Sequence, residues 1–232
     1  MSRVLLILGS GSNVGQHVSQ AFKAKGYKVA LVARKLKEED STADQVNISS
    51  DLADPDSVVS VFSKVKELLG SPSVVVYNAS AGTRNDPKDP LSVPLKDFER
   101  NLKINTTSVY AAAQQAVKGF EQLPDTASKT FIFTGNCLNV KPLAFLVDAG
   151  VGKTGTAHLI QSAASAYEDR GYKFYYADER KADGAPAFMD IDGAAHGKYY
   201  LELAESRTQG PWQQTFVKGV GYKQFESIIS TV

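Results

Sequence analysis

Val4-Leu5-Leu6-Ile7-Leu8-Gly9-Ser10-Gly11-Ser12-Asn13-Val14-Gly15 is the stretch on which the reading of this chain turns. Five apolar residues without polar alternation read as a strand buried on both faces. Three glycines follow within seven positions, and a helical pattern then begins at Val14, Val18, Ala21 and Phe22. A strand, a glycine-rich turn and a helix in that order form the entry of a dinucleotide-binding unit. The turn is tight, its backbone approaches a pyrophosphate, and the helix N-terminus offers N–H donors. By itself such a turn is also compatible with an ordinary strand-to-helix connection.

Working outward, a second apolar run covers Tyr27 to Ala33, after a break at Gly26, and pairs with the first as a right-handed βαβ unit. At its end an acidic side chain would accept from a ribose 2′-hydroxyl, but this chain has Arg34 and Lys35. A guanidinium there binds a 2′-phosphate bidentately, so the position favours NADP(H) over NAD(H). A solvated loop pair is the plainer alternative. Gln45–Ile48 reads as a third strand, Ser73–Tyr77 as a fourth, Ser128–Thr134 as a fifth, Tyr172–Ala177 as a sixth and Trp212–Val217 as a last. Asp54 followed by Pro55 starts a helix that runs to about Leu69. Thr83 to Pro94 reads as loop, and a helical stretch extends from Leu95 to about Gly119. Seven strands alternating with helical patterns predict an α/β chain, one doubly wound parallel sheet of Rossmann type with helices on both faces, across residues 1–232.

Composition excludes several classes of partner. With 26 basic and 25 acidic side chains the formal net charge is +1, which predicts neither nucleic acid nor an acidic membrane. The single cysteine, Cys137, leaves no internal disulfide framework. The N-terminal apolar run is too short for a signal-peptide core, and no stretch reaches the length of a membrane span, so the expected compartment is the cytoplasm.

The glycines at 9, 11 and 15, six positions from first to last, resemble the turn of the short-chain dehydrogenase/reductase family. That family usually has glycine where Asn13 stands, and Asn tolerates a positive φ next best. The resemblance covers nearly the whole chain and implies a cofactor site made of Gly9, Ser10, Gly11, Asn13, Val14, Gly15, Arg34 and Lys35. Asp51 and Leu52 match the family's adenine pocket, the carboxylate accepting from the adenine amino group. Tyr77-Asn78-Ala79-Ser80 is a half match to its Asn-Asn-Ala-Gly tetrad, with Asn78 in place and Ala79 and Ser80 small enough to admit a ribose. Asn105 corresponds to an asparagine at a helix irregularity that holds a relay water.

At the reactive end the resemblance fails. The family's working set is a Ser after the fifth strand, a Tyr thirteen residues on and a Lys four beyond it; here those positions hold Asn136, Ala149 and Lys153. No Tyr in the chain has a Lys four residues later. The resemblance therefore implies a catalytic set of Asn105, Asn136 and Lys153, with Lys153 also on the nicotinamide ribose and with a non-standard proton donor. Lys153 itself acting through a water, Asp148, Cys137 and His196 are the alternatives. Asp178-Glu179-Arg180 replaces the Pro-Gly that usually follows the sixth strand, and residues 181–211 are expected to form a variable substrate-binding segment with a short helix at Lys198–Leu203 and with His196 at its mouth, either touching a ligand or, as the plainer reading, in a capping or surface role.

Two functions follow from the resemblance. One is an NADP(H)-dependent oxidoreductase on a small carbonyl or alcohol; the other is a catalytically silent NADP(H)-binding sensor or scaffold. If the site is otherwise intact, an Ala149→Tyr variant is expected to gain activity. A homodimer or homotetramer through the segments near 101–118 and 149–168 is also expected, with Ala111, Ala112, Ala113, Ala163 and Ala164 allowing close approach.

Overall fold

The computed structural model describes residues 3–225. Among these, eight strands form one sheet: β1 (Val4–Leu8), β2 (Lys28–Ala33), β3 (Gln45–Ser49), β4 (Val74–Tyr77), β5 (Thr130–Thr134), β6 (Lys173–Arg180), β7 (Gln213–Val217) and β8 (Gly221–Tyr222). Their order is β3-β2-β1-β4-β5-β6-β7-β8, parallel throughout except for the β7–β8 hairpin. The two-residue β8 was not legible as a strand, because its only partner is β7 across a tight turn.

The helices are α1 (Val14–Lys23), α2 (Pro55–Leu69), α3 (Leu95–Leu102), α4 (Ser108–Phe120), α5 (Val147–Ala166) and α6 (Gly193–Glu205). Asp54 caps α2 by accepting from the Asp56 N–H at 3.1 Å, and Pro55 fills its first position. One turn of π-helix, Lys103–Thr107, joins α3 to α4. It supplies the expected irregularity at Asn105, and such turns cluster at functional positions.

The apolar runs of the parallel strands feed two separate cores. Leu6, Leu8, Val75, Phe131 and Phe133 pack on α2, α4 and α5, whereas Leu5, Ile7, Val76 and Ile132 pack on α1 and α6. Both faces of the sheet are thus covered, as continuous apolar strands require. The order reverses between β1 and β4, and in open α/β sheets the ligand crevice lies outside the carboxyl ends at that switch point.

Two sequence expectations need correction here. β6 does not end at Ala177 but continues through Asp178, Glu179 and Arg180, all buried. Pairing offsets part of the cost of burying these charges: Arg180 Nε donates to Asp178 Oδ2 at 2.6 Å. His196 is neither at a mouth nor on the surface; it is 2% exposed, packed edge-on against Tyr200 and Phe216, with Nδ1 2.8 Å from the Asp192 carbonyl. Burial pulls its pKa below the ordinary histidine value, so the neutral ring donates to that carbonyl. Within the stretch 181–211, α6 covers the short helix expected at 198–203, starts five residues earlier, and lies along α1.

Candidate active site

Four short segments converge at the switch point. The turn after β1 brings Gly9, Ser10 and Gly11; the end of β2 brings Arg34; Asp51 and Leu52 follow β3; Asn78, Ala79 and Ser80 follow β4. Together they line one open cleft of about 380 Å³. Gly9 makes the geometry possible. Its φ is +95°, and a Cβ there would lie 2.3 Å from the Ala79 nitrogen, so only glycine lets the turn close onto β4. Asn78 Nδ2 then ties the turn in place by donating to the Gly9 carbonyl at 2.8 Å. A Cβ on Gly11 would meet nothing within 4 Å, which leaves that stretch of backbone open to a ligand.

Not every expected cofactor residue reaches the cleft. Val14 is in the core, and Gly15 is there because a Cβ would lie 2.8 Å from Ser10 Cα. Lys35 is exposed and does not line the cleft, so of the basic pair only Arg34 does. Asn13 does not use a positive φ; it sits at φ −97°, and its amide is turned toward Ile191 and Gly193. Asp51 Oδ1 accepts from the Ala53 N–H at 3.0 Å, which keeps the carboxylate at the rim. Sequence reasoning missed Arg100 and Ile104, which line the cleft from α3 and the π-turn. Their spacing of four places both on one helix face, and that is the signal that would have found them.

The second half of the site lies at the carboxyl ends of β5 and β6. Lys153 is 2% exposed; its Nζ donates to the Thr134 carbonyl at 2.9 Å and stands 4.4 Å from the Phe133 ring centroid. Desolvation lowers its pKa to about 7, against the opposing pull of Asp178. Asp178, 1% exposed, is pushed up to about 6 by burial, opposed by Arg180 and Lys153. Asn136 is half-buried and fixed through its backbone. Its carbonyl accepts from the Tyr176 hydroxyl at 2.8 Å, and its Oδ1 accepts from the Leu138 N–H at 3.0 Å. Gly135 is required just before it, since a Cβ there would be 2.1 Å from the Tyr176 ring.

Asn105 is fully buried and fully engaged. Its Nδ2 donates to the Ala81 carbonyl at 2.6 Å, its Oδ1 accepts from the Ala81 N–H at 3.1 Å, and its own carbonyl accepts from Thr156 Oγ1 at 2.6 Å. These contacts lock the loop after β4 to α5. Asp148 is structural as well: it accepts from the Thr83 N–H at 2.9 Å and Asn101 Nδ2 at 2.7 Å, which removes it as a proton donor. Ala149 is buried against Gly82, where a Cβ would come within 3.1 Å of the alanine methyl. The position that would carry a tyrosine is therefore covered by the loop after β4. Cys137 is buried, and burial pushes its thiol up, so it is a poor proton source near neutrality. Among the described residues no helix is long and apolar enough to cross a membrane, and no cluster of His, Cys, Asp and Glu forms a metal site.

Comparison with known proteins agrees with this architecture. The family model for short chain dehydrogenase matches residues 3–175. The short chain dehydrogenase/reductase dmxR12 of Cryptosporiopsis sp. is 46% identical over 235 residues, covering 97% of this chain and 95% of its own. Two solved structures share the fold at low identity. BdcA in complex with NADPH has a TM-score of 0.72 at 19% identity, covering 96% of each chain. ElxO with NADP bound has a TM-score of 0.79 at 15% identity, covering 94% of this chain and 97% of its own. The glycine-turn cleft at the switch point, the π-turn at Asn105, the family match and a relative of nearly half identity lead to one conclusion: this chain belongs to the short-chain dehydrogenase/reductase family.

Proposed function

We propose that the protein is an NADP(H)-dependent oxidoreductase acting on a small carbonyl or alcohol, with Lys153 carrying the proton that a tyrosine carries in the family pattern. The observation that supports it most is the convergence of the glycine turn, Arg34, Asp51–Leu52 and Asn78–Ser80 on one cleft. The residues fit the adenosine half of the cofactor. Gly11 leaves backbone open for phosphate, the first turn of α1 offers N–H groups, and Arg34 supplies a fork for a 2′-phosphate. The NADP-bound and NADPH-bound fold relatives support the same choice.

Bound there, the cofactor would supply or accept the hydride. The chain's own residues handle the oxygen and the proton. Asn136 orients the substrate oxygen through its amide, and Asn105 holds the Ala81 backbone that floors the site. Lys153 Nζ would exchange the proton through a water and would be the group that holds the nicotinamide ribose. With its pKa near 7, carbonyl reduction needs the ammonium and slows as pH rises past that value; alcohol oxidation needs the free amine and speeds up. The stretch 181–211 borders the substrate. A homodimer or homotetramer would use α4 and α5, where Tyr110 and Val151 are exposed; a monomer by light scattering would refute that arrangement.

The test is a titration with NADPH and with NADH followed by Trp212 fluorescence, then NADPH oxidation across a panel of small carbonyls from pH 5.5 to 9. Tight NADPH binding with a rate limb near pH 7 supports the proposal. Binding of neither nucleotide refutes it.

A further inference from the structure

Asn136 carries its amide on a longer and freer stem than a serine carries its hydroxyl, so a site built on it needs something to aim it. Two sets of contacts do so. The first acts on the side chain. Oδ1 accepts from the Leu138 N–H at 3.0 Å, which settles which end of the amide faces the backbone. Among the described residues Nδ2 meets no acceptor, and Asn136 is only half-buried, so the amide is offered outward by its donor end.

The second set acts on the main chain and comes from Tyr176 in β6. One hydroxyl serves both backbone groups: it accepts from the Asn136 N–H at 3.2 Å and donates to the Asn136 carbonyl at 2.8 Å. Asn136 itself is at φ −164° and ψ −173°, extended backbone that any residue adopts, so its own conformational preference does not hold it there. The Tyr176 ring is wedged in place. It is fully buried, its centroid lies 5.4 Å from that of Phe133 and 6.5 Å from that of Trp212, and a Cβ on Gly135 would lie 2.1 Å from it. Burial pushes the phenol above its ordinary pKa, so the hydroxyl keeps its proton, and with it both roles, across neutral pH. Two residues before Asn136, the Thr134 carbonyl accepts from Lys153 Nζ, and between them the Gly135 N–H is paired with the Ala177 carbonyl at 2.7 Å. The end of β5 is thus held on β6 by the sheet up to Gly135 and by the Tyr176 hydroxyl one residue further.

We infer that Tyr176 is a positioning residue: its hydroxyl holds the backbone of Asn136 so that the amide donor of Asn136 meets the substrate oxygen while Lys153 handles the proton. This rests on the function proposed above, and it extends the working site to a buried side chain of β6.

The test is a double-mutant cycle on the full chain, following NADPH oxidation with a carbonyl that the unmodified protein reduces. In Tyr176→Phe turnover should fall about tenfold, the effect of a small misplacement of a reacting group, while the KM for NADPH stays within about twofold. In an Asn136→Ala background the same Tyr176→Phe change should alter turnover by less than about twofold, because the group being aimed is gone. Equal losses in the two backgrounds would mean a general structural effect, and an unchanged Tyr176→Phe would mean no effect; either overturns the inference. Amide exchange on the unmodified protein gives a readout that needs no variant. The Asn136 N–H should exchange slowly, and exchange at the rate of an open loop overturns the inference as well. Failure of the unmodified protein to bind NADPH or to reduce any carbonyl of the panel overturns the proposed function itself, and the role of Tyr176 with it.

Discussion

Replacing Lys153 by methionine separates chemistry from folding, because the two should move in opposite directions. The ammonium is buried beside Phe133, and its pKa falls from 10.5 to about 7. Below about pH 7 the folded and unfolded chains both carry the proton, and folding bears the whole desolvation penalty. Between about 7 and 10.5 the unfolded chain binds the proton and the folded one does not, so stability rises with pH. Each pH unit in that window is worth about 1.4 kcal/mol, and the full window amounts to on the order of 5 kcal/mol. Methionine removes this penalty but leaves the Thr134 carbonyl without its donor, at a cost of roughly 1–3 kcal/mol. At pH 6 the variant should therefore be more stable than the unmodified protein; near pH 10 it should be less stable. Urea denaturation of both proteins at half-unit steps from pH 6 to 10 reads this directly. Turnover in the methionine variant should fall by ~10²–10⁴ at every pH. Parallel stability curves would show that Lys153 keeps an ordinary pKa, and the proton-carrier argument would lose its physical basis.

Other substitutions probe the remaining parts of the site. Arg34→Ala should weaken NADPH about 10–100-fold, the worth of a charge-assisted bidentate contact, and leave NADH within about threefold; equal losses for both would remove the 2′-phosphate role. Ala149→Tyr should not gain activity, because the methyl is already packed beneath Gly82; overpacking should cost about 1–3 kcal/mol, read as a lower Tm, and a stable variant with restored carbonyl reduction would show that the loop after β4 yields. Asp178→Asn removes the carboxylate that favours the Lys153 ammonium, so the rate limb near pH 7 should move to lower pH; an unmoved limb would exclude Asp178 from the proton's surroundings.

The cleft at the switch point was legible in the sequence because its determinants are local. Gly9 is needed wherever a turn must close on a neighbouring strand, and Arg34 and Asp51 follow strand ends that apolar runs reveal unaided. The reactive end was not legible, because its determinants are pairings between distant segments. Asp178, Glu179 and Arg180 read as a polar exit from β6; they remain in the strand because Asp178 and Arg180 neutralise each other and Glu179 accepts from the Asp192 N–H. His196 read as a polar residue near a mouth, and only the placement of Tyr200 and Phe216 around it shows that it is core.

Asn13 shows how far a motif can mislead when the residue type is right and its use is not. A glycine replaced by asparagine in a turn suggests a tolerated positive φ, yet the backbone there is at −97° and no such tolerance is needed. What asparagine adds over glycine is a donor and an acceptor on one short side chain, and the structure uses both on one segment 180 residues away. The departure at Asn13 ties down the start of α6, whose Tyr200 hydroxyl reaches Thr134 Oγ1. The departure at Ala149 leaves the site without its tyrosine, and on the function proposed above the proton falls to Lys153, whose Nζ is held by the Thr134 carbonyl.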